Sequence, residues 1–231
     1  MGLEKQSENV WTLSRPFRVT GVGDIGVRMT VMRLASNEIL LISPVLLSDA
    51  DVQEINQLGT VKYLIAPNSL HHLYIKEGQA CFPKAKLAGP PGLAERRKDI
   101  AFNLVVSENN WLWKHEIEIC VVKASAPLYE EVLFFHKKDK VLVTTDLVFN
   151  LRNQKGFIQK ILARLNNTFD RFGMSWLGKR MFSDRHSLRV ALKQISHWNP
   201  SVIIMAHGSV LRDRVMPQFL EAFAWLKRKE I

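Results

Sequence analysis

VKYLIAPNSLHHLYIKEG, residues 61–78, is the stretch on which the reading of the fold turns. Residues 61–67 form a short, almost continuous apolar run, the length of a buried strand. The run breaks at Pro67-Asn68 into a loop that carries two adjacent histidines, His71 and His72, and then enters a helical turn. Immediately upstream, SDADVQEINQLG (48–59) has the marks of a helix. Ser48 is placed to cap it, Asp51 stands three residues on, and Gly59 closes it. Before that, GVRMTVMRL (26–34) alternates, Ser36-Asn37 is a turn, and EILLIS (38–43) is a short buried strand that ends before Pro44. Strand, helix, strand in this order predicts a crossover unit whose sheet is covered on at least one face.

Working downstream, AKLAG (85–89) is a further strand, and PPGLAERRKD (90–99) is a turn leading into a short helix. Pro91 costs little there, because its missing N–H would have been unpaired at a helix start. WLWKHEIEICVV (111–122) alternates as a strand. EEVLFFH (130–136) and KVLVTTD (140–146) form a hairpin across the turn KKDK. Composition changes after Asn150. Residues 156–182 carry apolar residues at helical spacing beside basic ones, divided at Asn166-Asn167 and Gly173. DRHSLRVALKQISHW (184–198) is a second helix, capped by Asp184 and stopped by Asn199-Pro200. SVIIMAHG (201–208) is a last buried strand, and RVMPQFLEAFAWLKRK (214–229) a C-terminal helix with cations in its final turn, where they suit the dipole.

Composition narrows the function classes. The 231 residues are 47% hydrophobic and 23% charged, which suits a globular α/β chain and excludes a disordered one. No apolar run approaches the roughly 18 residues of a membrane span. The N-terminal MGLEKQSENVWTLSRPF lacks an apolar core, so no signal peptide is expected. Two cysteines, Cys81 and Cys120, are read as buried thiols in a reducing, cytoplasmic setting. The net charge of +10 is uneven: residues 1–150 hold 17 basic and 17 acidic side chains, and residues 151–231 hold 15 and 5. A basic third of this kind steers anions or forms a solvated face. No nucleic-acid motif accompanies it, so nucleic acid is not an expected partner.

Three places put a histidine or aspartate just beyond a strong apolar strand: His71 and His72 after residues 61–67, Asp146 after KVLVTT, and His207 after SVIIMA. Strand ends in α/β folds favour ligands and catalytic groups, because the sheet fixes the loops and leaves their tips open. Three imidazoles and a carboxylate are a sound ligand set for zinc, iron or manganese, and each residue also has a structural alternative in the core or at a helix cap. His115, His136, His186 and His197 lie among charged neighbours and are read as surface or structural residues. GVGDIG (21–26) lacks the strand-to-helix setting of a dinucleotide loop and is read as a turn. No serine or cysteine stands in a nucleophile elbow.

Taken in order, SPVLL, APNSLHHLYIKEG, GPPGLAERRKD, LYEEVLFFH, VLVTTDLVFN and AHG resemble the metallo-β-lactamase superfamily, and within it a divergent branch with the signature APNxxHHL. The resemblance implies an αββα sandwich: two packed β-sheets, helices outside, and a metal site at one edge between the sheets. It makes residues 1–231 one domain with a basic helical insertion at about 151–198. Pro67 and Ser69 stand where the superfamily's first two metal histidines would be, and the next falls near Leu128. An early-strand aspartate is replaced near Ser43. At the second metal position His71 replaces an aspartate, whereas His72, Asp146 and His207 match.

The resemblance therefore implies a single divalent ion, zinc with iron or manganese as alternatives, held by His71, His72, Asp146 and His207. Asp146 and His71 are the candidate catalytic residues, with Asp146 as fourth ligand or as the base that holds a water. Asn68 is expected to hold the loop. The implied activity is hydrolysis of an ester, amide or phosphoester of a small molecule, anionic if the basic helices with Lys160, Arg164 and Arg171 roof the cleft. The alternatives are a degenerate binding or scaffold module and a non-haem iron redox protein.

Overall fold

A computed structural model describes residues 2–20, 23–124, 129–151, 171–182 and 184–228. The N-terminal half builds a seven-stranded sheet. Its strands come from β1 (Glu4–Lys5), β2 (Val10–Arg15), β5 (Val27–Arg33), β6 (Glu38–Ile42), β7 (Thr60–Ile65), β8 (Lys86–Gly89) and β9 (Leu104–Val105), side by side in that order. A small hairpin, β3 (Arg18–Val19) with β4 (Gly23–Asp24), leaves the sheet between β2 and β5. The pairs up to β5–β6 are antiparallel and those from β6–β7 onward are parallel. Each parallel step is spanned by a helix: α1 (Asp49–Leu58), α2 (Ile75–Cys81) and α3 (Pro91–Arg96). The Ser48–Asp51 capping box is present on α1, a contribution of about 1 kcal/mol. Gly59, which ends α1, is required sterically, since a Cβ there would lie 2.1 Å from the Asn37 carbonyl oxygen.

The second sheet orders β10 (Ile117–Lys123), β11 (Glu130–His136), β12 (Val141–Val143) and β15 (Val202–Ile204). β10 to β12 are antiparallel, with the expected hairpin between β11 and β12, and β15 joins β12 in parallel. Two short strands, β13 (Phe149–Asn150) and β14 (Phe172–Gly173), pair outside it. α4 (Trp176–Met181), α5 (Arg185–Trp198) and α6 (Val215–Ala222) follow among the described residues, with a 3-10 turn over Ala224–Arg228. Asp184 caps α5 by accepting from His186 and Ser187 N–H, and Asn199 ends it in the left-handed conformation.

Strand alternation sorts the core into layers. Leu40, Ile42, Tyr63 and Ile65 of the first sheet meet Val132, Phe134, Val143 and Ile204 of the second. The opposite faces pack outward. Ile39, Leu41 and Leu64 meet Ile55 and Ile75 of α1 and α2, whereas Leu133, Phe135 and Ile203 meet Leu188, Ile195 and Phe219 of α5 and α6. This is the αββα sandwich. Fully burying each such side chain is worth about 1.5–3 kcal/mol relative to exposure, so the alternation itself specifies both sheets.

Several elements depart from the sequence reading. β1 and β2 lie in the N-terminal stretch that composition left unassigned. Residues 111–116 are turns and not strand, because Trp111 and Trp113 bury side by side in the inter-sheet core and the Trp111 indole N–H donates to the Ile117 carbonyl at 2.7 Å. The expected helical stretch 156–182 lies largely outside the described residues, including Lys160 and Arg164. Its described end holds β14 and α4. The C-terminal helix stops at Ala222 and does not run on to residue 229. Among the described residues no helix is long and apolar enough to cross a membrane.

Candidate metal centre

The histidine loop is shaped by Asn68, which is completely buried. Its Oδ1 accepts from the backbone N–H of Leu70 (2.7 Å) and His71 (2.9 Å), a local turn that swings the His71 ring inward. Its Nδ2 donates across the sandwich to Thr145 Oγ1 (2.9 Å) and to Asp146 Oδ2 (2.8 Å). One amide therefore ties the end of β7 to the end of β12. Ser43, left-handed at φ 57° just past β6, places its Oγ 2.8 Å from His71 Nδ1. The side chain that sequence assigned to loop-holding thus holds the loop and touches the carboxylate as well.

Asp146 sits on a loop that Glu131 anchors. Glu131 is fully buried on β11, and its two oxygens accept from Thr145 N–H (2.7 Å) and Asp146 N–H (3.0 Å). Burial, then the nearby Asp146 charge, pushes the Glu131 carboxyl up from its ordinary range. Tyr129 donates its hydroxyl to Asp146 Oδ2 at 3.3 Å, and burial followed by the Asp146 charge pushes the phenol up strongly. Burial alone would raise Asp146 too, but His71 and His207 overcome it and hold that carboxyl well below the usual range.

His207 follows β15 and is fixed from the first sheet. Arg28 on β5 donates to the carbonyls of Met205 (2.7 Å) and Gly208 (2.6 Å) and to Ser14 Oγ (3.2 Å). Gly208 is left-handed at φ 87°, and a Cβ there would lie 2.2 Å from the Asn150 carbonyl oxygen. His207 Nδ1 meets the Gly26 carbonyl at 2.6 Å, and the Phe149 ring stacks on the imidazole at 5.8 Å.

These three loops bring His71, Asp146 and His207 together, with one ligand atom of each within 4.8 Å of the others. Asp146 Oδ1 lies 3.3 Å from His71 Nε2 and 3.6 Å from His207 Nε2. Ligand distances of about 2.0–2.2 Å at a tetrahedral zinc separate the ligand atoms by about 3.3–3.6 Å, so these spacings fit an ion. The tautomer fits as well. A carbonyl only accepts, so His207 Nδ1 carries the hydrogen given to Gly26, and a neutral ring presents its Nε2 lone pair to a carboxylate oxygen. Two acceptors facing each other need a cation or a proton between them. The Nδ1 contacts to Gly26 and Ser43 are the outer partners that orient ligating imidazoles.

His72 is not brought into this group. Its Nε2 contacts the Arg97 guanidinium, itself paired to Asp99, and burial together with Arg97 lowers its pKa. It still lines the same cleft, a cavity of about 510 Å³ that also takes in Asp146 and His207. Arg171 lines a different groove, with Lys179 and Trp225. Glu131, Tyr129 and Arg28 were not singled out from sequence. The signal was present for two of them, since Glu131 and Arg28 are charges that adjoin apolar residues within their strands.

A family model described as a domain of unknown function, DUF4336, matches residues 7–171. No curated protein matches the sequence. Among solved structures, the DIM-1 metallo-β-lactamase exposed to ceftazidime is 17% identical, with a TM-score of 0.68 over 97% of this chain and 95% of that one. The metallo-β-lactamase FIM-1 of Pseudomonas aeruginosa in its mono-zinc form is 8% identical, with a TM-score of 0.64 over 97% and 95%. A putative diflavin flavoprotein fragment from Nostoc sp. is 12% identical, with a TM-score of 0.66 over 97% and 94%. At such identities the likeness establishes the metallo-β-lactamase fold and nothing finer.

Proposed function

The chain belongs to the DUF4336 family, and from that premise and the site's geometry we propose that it is a metal-dependent hydrolase using one divalent ion, zinc, held by His71, Asp146 and His207. The observation that carries this reading is the convergence of the two Nε2 atoms on Asp146 Oδ1 at tetrahedral spacing. The mono-zinc form of FIM-1, a protein of the same fold, is consistent with it. A bound ion of this kind polarises a scissile carbonyl or phosphoryl oxygen and favours ionisation of water.

The chain's own residues do the positioning. Ser43 and Gly26 fix the two imidazoles through their Nδ1 atoms. Asn68 and Tyr129 occupy Asp146 Oδ2, which leaves Oδ1 as the oxygen that ligates or holds the proton of a water. His71 acts as a ligand whose ring cannot turn. His72 belongs to the cleft wall, where Arg97 orients it. We place the protein in the cytoplasm, a setting with which the unbonded Cys81 and Cys120 agree.

A second reading has its own support. The same imidazole–carboxylate contacts also close a His–Asp–His bridge that needs only a proton, which would suit a degenerate binding module. Elemental analysis of untagged protein decides between them. About one equivalent of zinc, iron or manganese in wild type and in H72A, and none in the H71A/H207A double variant, supports the metal reading. Iron as the metal would favour redox chemistry. Folded protein that stays metal-free and takes up no added ion sinks the hydrolase.

A further inference from the structure

The 510 Å³ cleft is of small-molecule size, and its chemistry is one-sided. His71, Asp146 and His207 meet at one place in it, with Ser43 bonded to His71. Ser69, His72 and Tyr74 add polar atoms to the lining, and the other lining residues are apolar. The segment from 17 to 27 contributes Phe17, Ile25 and Val27, the histidine loop contributes Leu70 and Leu73, and Phe149 backs His207. Leu70 and Leu73 are each 53% exposed although they flank the His71-His72 pair, whose first member is buried. Among the described residues lining the cleft there is no lysine or arginine, and its one carboxylate is Asp146. A dianionic phosphoryl group would find no guanidinium or ammonium partner on these walls. A contiguous apolar surface opening onto a polar cluster is the mark of a binding site, not of a solvated face.

We infer that this cleft receives an apolar, uncharged group, and that the substrate is a carboxylic ester or amide with an apolar acyl part. The acyl group would lie against Leu70, Leu73 and Phe17, with its carbonyl at the His71–Asp146–His207 end. The reaction rests on the hydrolase reading, but the recognition of an apolar group does not, and the test separates the two.

The first arm uses metal-free full-length protein and the fluorescent probe N-phenyl-1-naphthylamine. Wild type should bind it, and a double variant, Leu70→Asp with Leu73→Asp, should bind at least tenfold more weakly while keeping its circular dichroism spectrum. Absent binding, or equal binding by both proteins, overturns the inference. The second arm uses zinc-loaded wild type with p-nitrophenyl acetate, butyrate, hexanoate and phosphate. Each added methylene should raise kcat/KM about threefold to fourfold, since its burial is worth about 0.8 kcal/mol. The phosphate should be the poorest substrate. A flat acyl series, or phosphate turned over as well as hexanoate, also overturns it. Probe binding that follows the predicted pattern with no turnover of any ester leaves the apolar cleft standing and removes the hydrolase.

Discussion

Asn68→Ala removes the brace on which both halves of the site depend, and the size of the loss follows from its contacts. Four hydrogen bonds disappear: two accepted from Leu70 and His71 N–H, one given to Thr145 Oγ1 and one given to the Asp146 carboxylate. A neutral bond contributes about 0.5–1.5 kcal/mol net, and one to a charged group about 1.5–3 kcal/mol. The direct sum is about 5 kcal/mol, and water entering the vacated space from the cleft would bring it to about 3–4 kcal/mol. Urea unfolding followed by circular dichroism measures this as a lower midpoint at unchanged slope. Asn68→Asp separates the accepting half from the donating half, because it keeps the shape and both backbone contacts. It sets a second carboxylate oxygen 2.8 Å from Asp146 Oδ2, a repulsion of about 6 kcal/mol at an effective dielectric of about 20. N68D should therefore be no more stable than N68A. A loss below about 1 kcal/mol in N68A, or an N68D as stable as wild type, refutes the claim that this amide holds the two loops together.

Arg28→Met deletes the two charge-assisted bonds to the carbonyls that flank His207, and should cost about 3 kcal/mol in urea unfolding. R28K should recover at most half, since an ammonium lacks the fork that reaches both carbonyls, and full recovery would contradict the geometry. Asp51 predicts a pH dependence. Burial would raise its carboxyl, but hydrogen bonds from Arg15 and Ser48 outweigh this and lower it. A depressed folded value gives stability that is present above the ordinary value of about 3.9 and is lost as pH falls through the folded value. The stability gap between wild type and D51N should thus be widest near neutrality and shrink below about pH 4, and a gap that does not change with pH would argue against it.

The crossover units, the β11–β12 hairpin and the α1 cap were readable because each rests on local rules: alternation, capping and turn chemistry acting within a dozen residues. β2 escaped because its apolar residues, Val10, Trp11 and Leu13, are too few to announce a strand until Met29 and Val31 of β5 pair beside them. Residues 111–116 misled because buried indoles at alternate positions satisfy a strand pattern and an aromatic cluster equally. The site divided the same way. His71, Asp146 and His207 were visible as strand-end residues, whereas which of two adjacent histidines turns inward depends on Asn68 and Arg97, contacts made across 78 and 25 residues of chain.

Residues at, beside and between the positions where the resemblance would put further ligands tie the site together. Pro67, standing where the resemblance would put a histidine, offers its carbonyl to Val132 N–H at 2.9 Å and so joins the loop to the second sheet. Asn68 then supplies an N–H, and Tyr129 an O–H, to Asp146 Oδ2. Two neutral donors cannot match the charge of an ion, but they need no ligand set of their own and leave Oδ1 to the imidazoles. Among the described residues the one group placed to hold an ion is His71, Asp146 and His207. With Oδ2 held by Asn68 and Tyr129, one cation or one proton at Oδ1 would complete the partners of Asp146. A histidine at position 67 would keep the backbone carbonyl that accepts from Val132 N–H, so Pro67→His should leave the tie to β11 in place.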